Sequence, residues 1–318
     1  MVRSDERSTR ASAPAGSHSL DAFTSTDWLL LIGTALTWGS SFLWIEIALD
    51  AFEPTLIALL RVALGAGTLA LFRPARTKVD RADLPAMALV GLFWMAAPFI
   101  LFPVAQQWID SSLAGMINGG VPIVAGVVSA ILLRRFPPTK TVVGITIGFV
   151  GVVVVGWPAV QDSSSTALGA ALVFLAIICY GIAINIAVPL QQRYGSLPVV
   201  LRAQVVALAL TAIPGAFGAS NSHFEWASLA AMIPLGCLGT GLAFVWLTTL
   251  IGRVGAARGS VTIYFVPLLA IALGVVLRDE DVSPISLVGV VLVLAGAFLA
   301  SRTQTIRQRE NASVPAPP

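Results

Sequence analysis

Apolar residues fill ten stretches of this chain, and polar residues are confined to the short segments between them. The stretches lie near 28–49, 54–72, 84–108, 113–133, 140–160, 167–190, 198–217, 227–250, 256–277 and 283–301. Each is long enough, as a helix, to cross about 30 Å of hydrocarbon. The runs are continuous and do not alternate at every second residue, so they predict helices rather than the strands of a barrel. The pattern predicts an all-α polytopic membrane protein with ten transmembrane helices.

The pattern also repeats. Adding 145 to Gly91, Pro122, Gly144 and Gly151 gives Gly236, Pro267, Gly289 and Gly296, so the residue type recurs at each marked position. Between Gly115 and Gly151 two apolar helices flank a short basic turn, and the stretch from Ser260 to Gly296 has a similar plan. A period this long means a duplicated unit. Five helices per half is an odd number, so the second half enters the membrane from the opposite side. The expected architecture is two inverted five-helix repeats, residues 28–160 and 167–301, joined by the loop Gln161–Thr166. Residues 1–27 and 302–318 are polar and are read as disordered cytoplasmic tails. The first of them has no apolar core ahead of a small-residue cleavage site, so it is not expected to be a signal peptide.

Composition agrees with the pattern. The chain is 57% hydrophobic and only 11% charged, against about 25% charged for a soluble domain. Most of its surface must therefore meet a lipid bilayer. Cys179 and Cys237 lie inside apolar runs and are expected to be packing residues. Of the nineteen lysines and arginines, sixteen fall in the tails and in the segments on one side of the predicted helices. The loops on the other side carry Asp50, Glu53, Asp110, Asp162, Glu225, Asp279, Glu280 and Asp281, with Arg278 their only cation. The positive-inside rule then puts both termini in the cytoplasm and the protein in the plasma membrane, which is the inner membrane of a Gram-negative cell.

Polar residues inside predicted spans are costly and come first as functional candidates. Glu46 lies near the outer end of helix 1 and Arg61 two turns inside helix 2. They are open to three readings: a structural ion pair, side chains snorkelling to the interface, or a site in which Arg61 holds an anionic group and Glu46 takes up a coupling proton. Trp38 and Tyr180 sit mid-span in helices 1 and 6. Asn118 and Pro122 share a face of helix 4, and Ser260, Tyr264 and Pro267 form the matching stripe on helix 9. Either these groups line a wet cavity, or they pack between helices and bond backbone carbonyls. The two prolines are expected to bend their helices. The substrate-binding candidates are thus Trp38, Arg61, Asn118, Tyr180 and Tyr264. Gly144, Gly148, Gly151, Gly289 and Gly296 suit close helix contact. That makes helices 5 and 10 candidates for a peripheral support or a homodimer surface.

The motifs of several enzyme classes are missing. There is no HExxH, CxxC or P-loop, and His18 and His223 both lie outside the helices. No catalytic residue, metal site, cofactor or nucleic-acid partner is expected, and ATP-driven transport would need a separate subunit.

Glu280-x-x-Ser283 followed by Gly289 and Gly296, the triplet Trp38-Gly39-Ser40, Arg61, Pro122 and Pro267 together resemble the EamA-type members of the drug/metabolite transporter superfamily. The resemblance covers about residues 28–301. The sequence departs from the family pattern at Asp279, where the family has glycine, and at Arg135, the first-repeat match of Glu280. The resemblance implies a ten-helix, two-repeat fold. It also implies transport of amino acids, other small metabolites or toxic compounds, and favours export. The expected function is a secondary transporter of a small amphipathic metabolite working by alternating access, its site near the midplane and lined by helices 1, 3, 4, 6, 8 and 9. A membrane sensor or accessory subunit stays open as an alternative. So does a lipid-modifying enzyme, which would need a nucleophile or carboxylate pair near an interface.

Overall fold

The computed structural model describes residues 23–134, 138–259 and 261–313. Arg135, Ser260, residues 1–22 of the first tail (with Arg3, Arg7, Arg10 and His18) and residues 314–318 of the second lie outside the described residues. Every regular element among the described residues is helical. The apolar helices are α1 (Ser25–Leu49), α2 (Pro54–Ala70), α3 (Arg81–Ala105), α4 (Ser111–Leu132), α5 (Thr139–Ala159), α6 (Ser164–Tyr194), α7 (Ser196–Asn221), α8 (Trp226–Val254), α9 (Thr262–Arg278) and α10 (Pro284–Leu299). Seven are long and apolar enough to cross a membrane, while α2, α9 and α10 are shorter. The helix of α10 continues to Ser313, into the stretch read from sequence as a disordered tail from 302.

Local chemistry sets the helix ends. Thr24 and Asp27 form a reciprocal capping box that starts α1. Pro54 opens α2 at a position whose N–H would have no helical partner. Two helices are interrupted. α1 is broken at Ser40 into Ser25–Gly39 and Ser41–Leu49. α4 is broken at Gly119 and Gly120, and Pro122 sits in the first turn of the segment that follows. Pro267 does not break its helix: Thr262–Arg278 is continuous through it. Its ring fills the notch left by Gly119, where a Cβ would lie 2.9 Å from the proline Cγ. One proline thus follows a break, and the other packs into it.

α3 and α8 each widen into a π-helical stretch, Gly91–Ala96 and Ile233–Leu242. Adding 145 to 91–96 gives 236–241, inside the second stretch. Both pack closely. A Cβ on Gly91 would lie 2.7 Å from the Ala203 carbonyl of α7, and one on Gly236 would lie 2.6 Å from Leu64 Cβ of α2.

α5 and α10 lie against each other along their length. Their glycines make the contact: a Cβ on Gly151 would lie 2.5 Å from Val293 N, and one on Gly296 would meet Gly148 N. The small-residue faces of the two helices are therefore used within one chain. A homodimer on these helices would have to use their opposite faces, where Phe149, Val153, Val288 and Val291 are exposed.

The two ends of the bundle differ in charge. At the basic end Arg193 bonds Asp83 (2.7 Å), the Tyr194 hydroxyl donates to the same carboxylate, and Arg202 donates to the carbonyls of Ala75 and Thr77. Arg253 closes the α1 capping box from α8 by pairing with Asp27. The opposite, acidic end carries Glu46, Asp50, Asp110 and Glu280 around Arg278.

Candidate functional site

Two groups of side chains stand out, one inside the bundle and one at its acidic end. The inner group centres on Arg61 of α2. It is 7% exposed. Its Nε donates to Thr240 Oγ1 (2.9 Å), and its guanidinium lies 3.8 Å from the ring centroid of Phe99 on α3. No carboxylate pairs with it among the described residues. Thr240 is held in turn, donating to Leu235 O, while its own carbonyl accepts from Gln204 of α7. The Glu46–Arg61 ion pair, one of the three readings open from the sequence, does not form among the described residues. Glu46 pairs instead with Arg278 of α9 at 2.9 Å. The short α1–α2 hairpin brings the backbones together, but the two side chains leave their helices toward different neighbours.

Further aromatic rings lie next to the partners of Arg61. Trp38 donates from Nε1 to Gly239 O (2.9 Å) and packs edge-on to Phe244, which meets Trp94 in the same way on its other side. Gly239 belongs to the widened stretch of α8, and the irregular backbone there frees carbonyls for such donors. Phe102, three residues beyond Phe99, meets Phe42 edge-on and Tyr180 at a tilt. Tyr180 is within electrostatic range of Arg61, and its hydroxyl has no hydrogen-bond partner among the described residues. The structure thus joins Trp38 to Arg61 through the adjacent Gly239 and Thr240, while Tyr180 packs on Phe102 of the helix that carries Phe99.

The other two candidates stand apart from these residues. Tyr264 donates to Ala297 O on α10, a packing role. Asn118 is half-buried at the α4 break and forms no hydrogen bond or ring contact with the network. Phe99, Phe244 and Thr240 were not among the sequence candidates. Thr240 had one visible signal, its place between Gly239 and Gly241.

The repeat supplies an internal comparison. Adding 145 to 61 gives Val206, so the equivalent position of the second copy is apolar. Gly91 faces the Val206 side chain, whereas Gly236 faces the side chain of Leu64 and only the backbone carbonyl of Arg61. The packing of α7 on its π-helical neighbour thus uses valine where α2 has an arginine.

The second group lies at the acidic end beside a cavity of about 370 Å³ lined by Glu46, Asp50, Gln106, His223 and Arg278. Pro54 also lines it. Pro54 and Arg61 are seven residues apart on α2, as are Phe99 and Gln106 at the end of α3. Two helical turns, about 10.5 Å, thus separate the cavity wall from the Arg61–Phe99 contact on each helix.

Glu280 lies under this rim, 9% exposed. It accepts from Ser111 N (3.1 Å), Ser111 Oγ (2.5 Å) and Ser112 N (2.8 Å), and so caps the start of α4 from the α9–α10 connection. Asp110, the natural cap position, makes no such bond. Burial would raise the Glu280 carboxyl, but the Ser111 and Ser112 donors outweigh it and hold the group below its ordinary value. Asp110 is raised, first by burial and then by the charges of Glu280 and Asp281. A depressed carboxyl stabilises the fold at neutral pH, and the contribution is lost as pH falls below the ordinary value of 4.5 toward the folded one. Replacing Glu280 with alanine should cost about 1–3 kcal/mol, read as a lower midpoint of thermal unfolding in lipid. Glu280→Gln should flatten the acid limb of the wild-type stability curve.

Comparison with known proteins adds the following. The model of the EamA-like transporter family matches residues 27–157 and again residues 167–302. An uncharacterized transporter of Archaeoglobus fulgidus is 25% identical over 279 residues, covering 86% of this chain and 98% of its own. A probable terminal-alkyne amino-acid exporter of Streptantibioticus cattleyicolor is 26% identical over 291 residues, covering 91% and 97%. A probable amino-acid metabolite efflux pump of Salmonella typhimurium is 23% identical over 284 residues, covering 86% and 94%. One crystal structure superposes with a TM-score of 0.58 at 18% identity, covering 88% of this chain and 99% of the other, a likeness of fold alone.

Proposed function

This chain belongs to the EamA-like transporter family, and from that premise we propose that it is a secondary exporter of a small metabolite bearing a carboxylate and an apolar or aromatic body, such as an amino acid. One observation carries the substrate class. Arg61 is a buried guanidinium with a hydroxyl and a ring for partners and, among the described residues, no carboxylate. A charge withdrawn from water is expensive unless it is paired, and the matching position of the second copy is a valine. A substrate carboxylate would complete the site in the fork geometry that arginine favours. Trp38, Tyr180, Phe99 and Phe244 would bound the rest of the molecule, and Asn118 is a further polar group near the α4 break. Names of two relatives, an amino-acid exporter and an amino-acid metabolite efflux pump, support the same class.

The two halves, 28–160 and 167–301, are inverted repeats in this proposal, and rocking between them exposes the site to one side and then the other. The basic end faces the cytoplasm and the acidic end faces outward across the plasma membrane, as the positive-inside rule requires. Single cysteines at Lys78 and Asp279 should react with an impermeant maleimide from opposite sides, and labelling from one side would overturn the topology. For transport, purified protein in vesicles should exchange at least one of a panel of tritiated amino acids saturably. A panel that gives only linear leak would overturn the proposal.

A further inference from the structure

The connection between α2 and α3, residues 71–84, carries Arg73, Arg76, Lys78 and Arg81 within nine residues, and all four are exposed. None of the four forms an ion pair or a hydrogen bond among the described residues. The two carboxylates of the same segment are already engaged by α6. Asp83 takes Arg193 (2.7 Å) and the Tyr194 hydroxyl, and Asp80 lies 3.7 Å from Arg193. The four cations are therefore left without neutralising partners in their own segment.

The backbone that carries them is held in place. Arg202 of α7 donates to Ala75 O (2.5 Å) and Thr77 O (2.7 Å), and the Asp80 N–H donates to the Tyr194 hydroxyl (3.3 Å). Arg73–Arg76 is a single 3₁₀ turn, a geometry in which side chains three residues apart eclipse. Phe72 and Ala75 share one side and pack into the core, as does Val79 further on. Arg73 and Arg76 share another side, next to each other at the surface. Apolar side chains flank the cations: Leu71 is 78% exposed and Leu84 is 44% exposed. The second copy provides a contrast. Adding 145 to 71–84 gives 216–229, a stretch with no lysine or arginine. It lies at the acidic end, where Ser222 bonds Glu53 N and His223 lines the cavity, and it exposes Phe224 and Trp226 instead. The cations thus belong to the basic end and are not shared by the repeat.

We propose that this connection binds anionic phospholipid, with a headgroup phosphate between Arg73 and Arg76 and acyl chains along Leu71 and Leu84. Two adjacent guanidinium forks suit the oxygens of a phosphate. A free anion in water would use the arginines but would gain nothing from the leucines, whereas a phospholipid uses both. A zwitterionic lipid brings a positive charge into a segment that already has an excess of them. Bound lipid also acts on the fold. The connection lies in the first half, while Arg193, Tyr194 and Arg202, which hold it, lie in the second. Relieving the repulsion among the four cations therefore strengthens the seam between the halves at this end. In the orientation proposed above the leaflet is the cytoplasmic one, whose surface potential is negative. The binding itself depends on neither that orientation nor transport.

The test uses the full chain in dodecyl maltoside micelles titrated with dioleoyl phosphatidylglycerol, dioleoyl phosphatidylcholine or inorganic phosphate. Phosphatidylglycerol should raise the thermal unfolding midpoint saturably, and native mass spectrometry should show it retained in preference to phosphatidylcholine. Each basic side chain near an anionic surface contributes about fivefold in affinity. Arg73→Gln/Arg76→Gln should therefore need about twenty-five-fold more phosphatidylglycerol for the same rise. Arg134→Gln/Lys140→Gln, in the α4–α5 connection, should respond as the wild type does. Equal rises with the two lipids, or a double variant at 73 and 76 that titrates like the wild type, would overturn the site. So would equal losses in the two double variants, which would mean diffuse attraction to the whole basic end. The same rise with inorganic phosphate would replace the lipid by a soluble anion and overturn the proposal. If the double variant does not fold, Arg73→Gln alone decides, with a shift of about fivefold expected and no shift counting against the site.

Discussion

Arg61→Met should remove saturable transport of a carboxylate substrate by about a hundredfold or more while leaving the folded protein as stable as the wild type, or more so. The two halves of this expectation come from the same fact. The guanidinium is buried, donates one hydrogen bond from its Nε to Thr240 and lies against the face of Phe99. A desolvated cation–π contact contributes about 2 kcal/mol, less than the several kcal/mol that burying the ion costs. Methionine fills most of the same volume without a charge, and replacing buried ions by apolar groups of similar size is often neutral or stabilising. With substrate bound the balance reverses. A charge-assisted hydrogen bond contributes about 1.5–3 kcal/mol, two of them can form in a fork, and each 1.4 kcal/mol is a factor of ten. Arg61→Lys should fall between, since it keeps the charge and loses the fork. Counterflow rates and unfolding midpoints measured on the same preparations check both halves. A variant that unfolds easily yet transports normally would show that Arg61 is a structural cation.

Gly296→Val should be among the most damaging single changes in the chain, costing about 3 kcal/mol or more and leaving little folded protein in the membrane. The Cβ that valine brings would collide with the backbone of Gly148, and backbone cannot swing aside as a side chain can. Gly151→Val should behave similarly, because its neighbours are Val293 N and Gly289 O. The control lies on the same helix. Gly156 has nothing within 4 Å of its Cβ direction, so Gly156→Val should be nearly neutral. Yield in membranes and unfolding in mixed micelles would rank the three. Equal damage at Gly156 would mean that valine harms the helix itself and that the seam matters less than the packing implies.

The fold was legible because its causes are local. A run of apolar residues needs no partner to declare a span, and sixteen of nineteen cations on one side needed only counting. The glycine seam was half legible: the small residues were visible, but the sequence could not say whether their partner was in the same chain. Side-chain partnerships were the least legible. Glu46 and Arg61 are neighbours in sequence with a hairpin between them, yet Glu46 found Arg278, 232 residues away, and Arg61 found Thr240, 179 residues away. Those choices depend on how helices far apart in the chain are rotated, and hydropathy carries no information on rotation. Glu280 shows the same limit. Its motif marked the family, while its role as the cap of α4 needed the acidic end to be assembled.

The widened stretches of α3 and α8 bear on the history of the chain. A π-helical turn is an ordinary helix carrying a surplus residue, and on its own it weakens the segment that holds it. Here the surplus sits at matching places, Gly91–Ala96 and Ile233–Leu242, in halves that one family model matches separately. An ancestral gene that had already gained the insertion before it was copied would leave both descendants with this shared scar, and only the later one, beside Thr240, came to face an arginine.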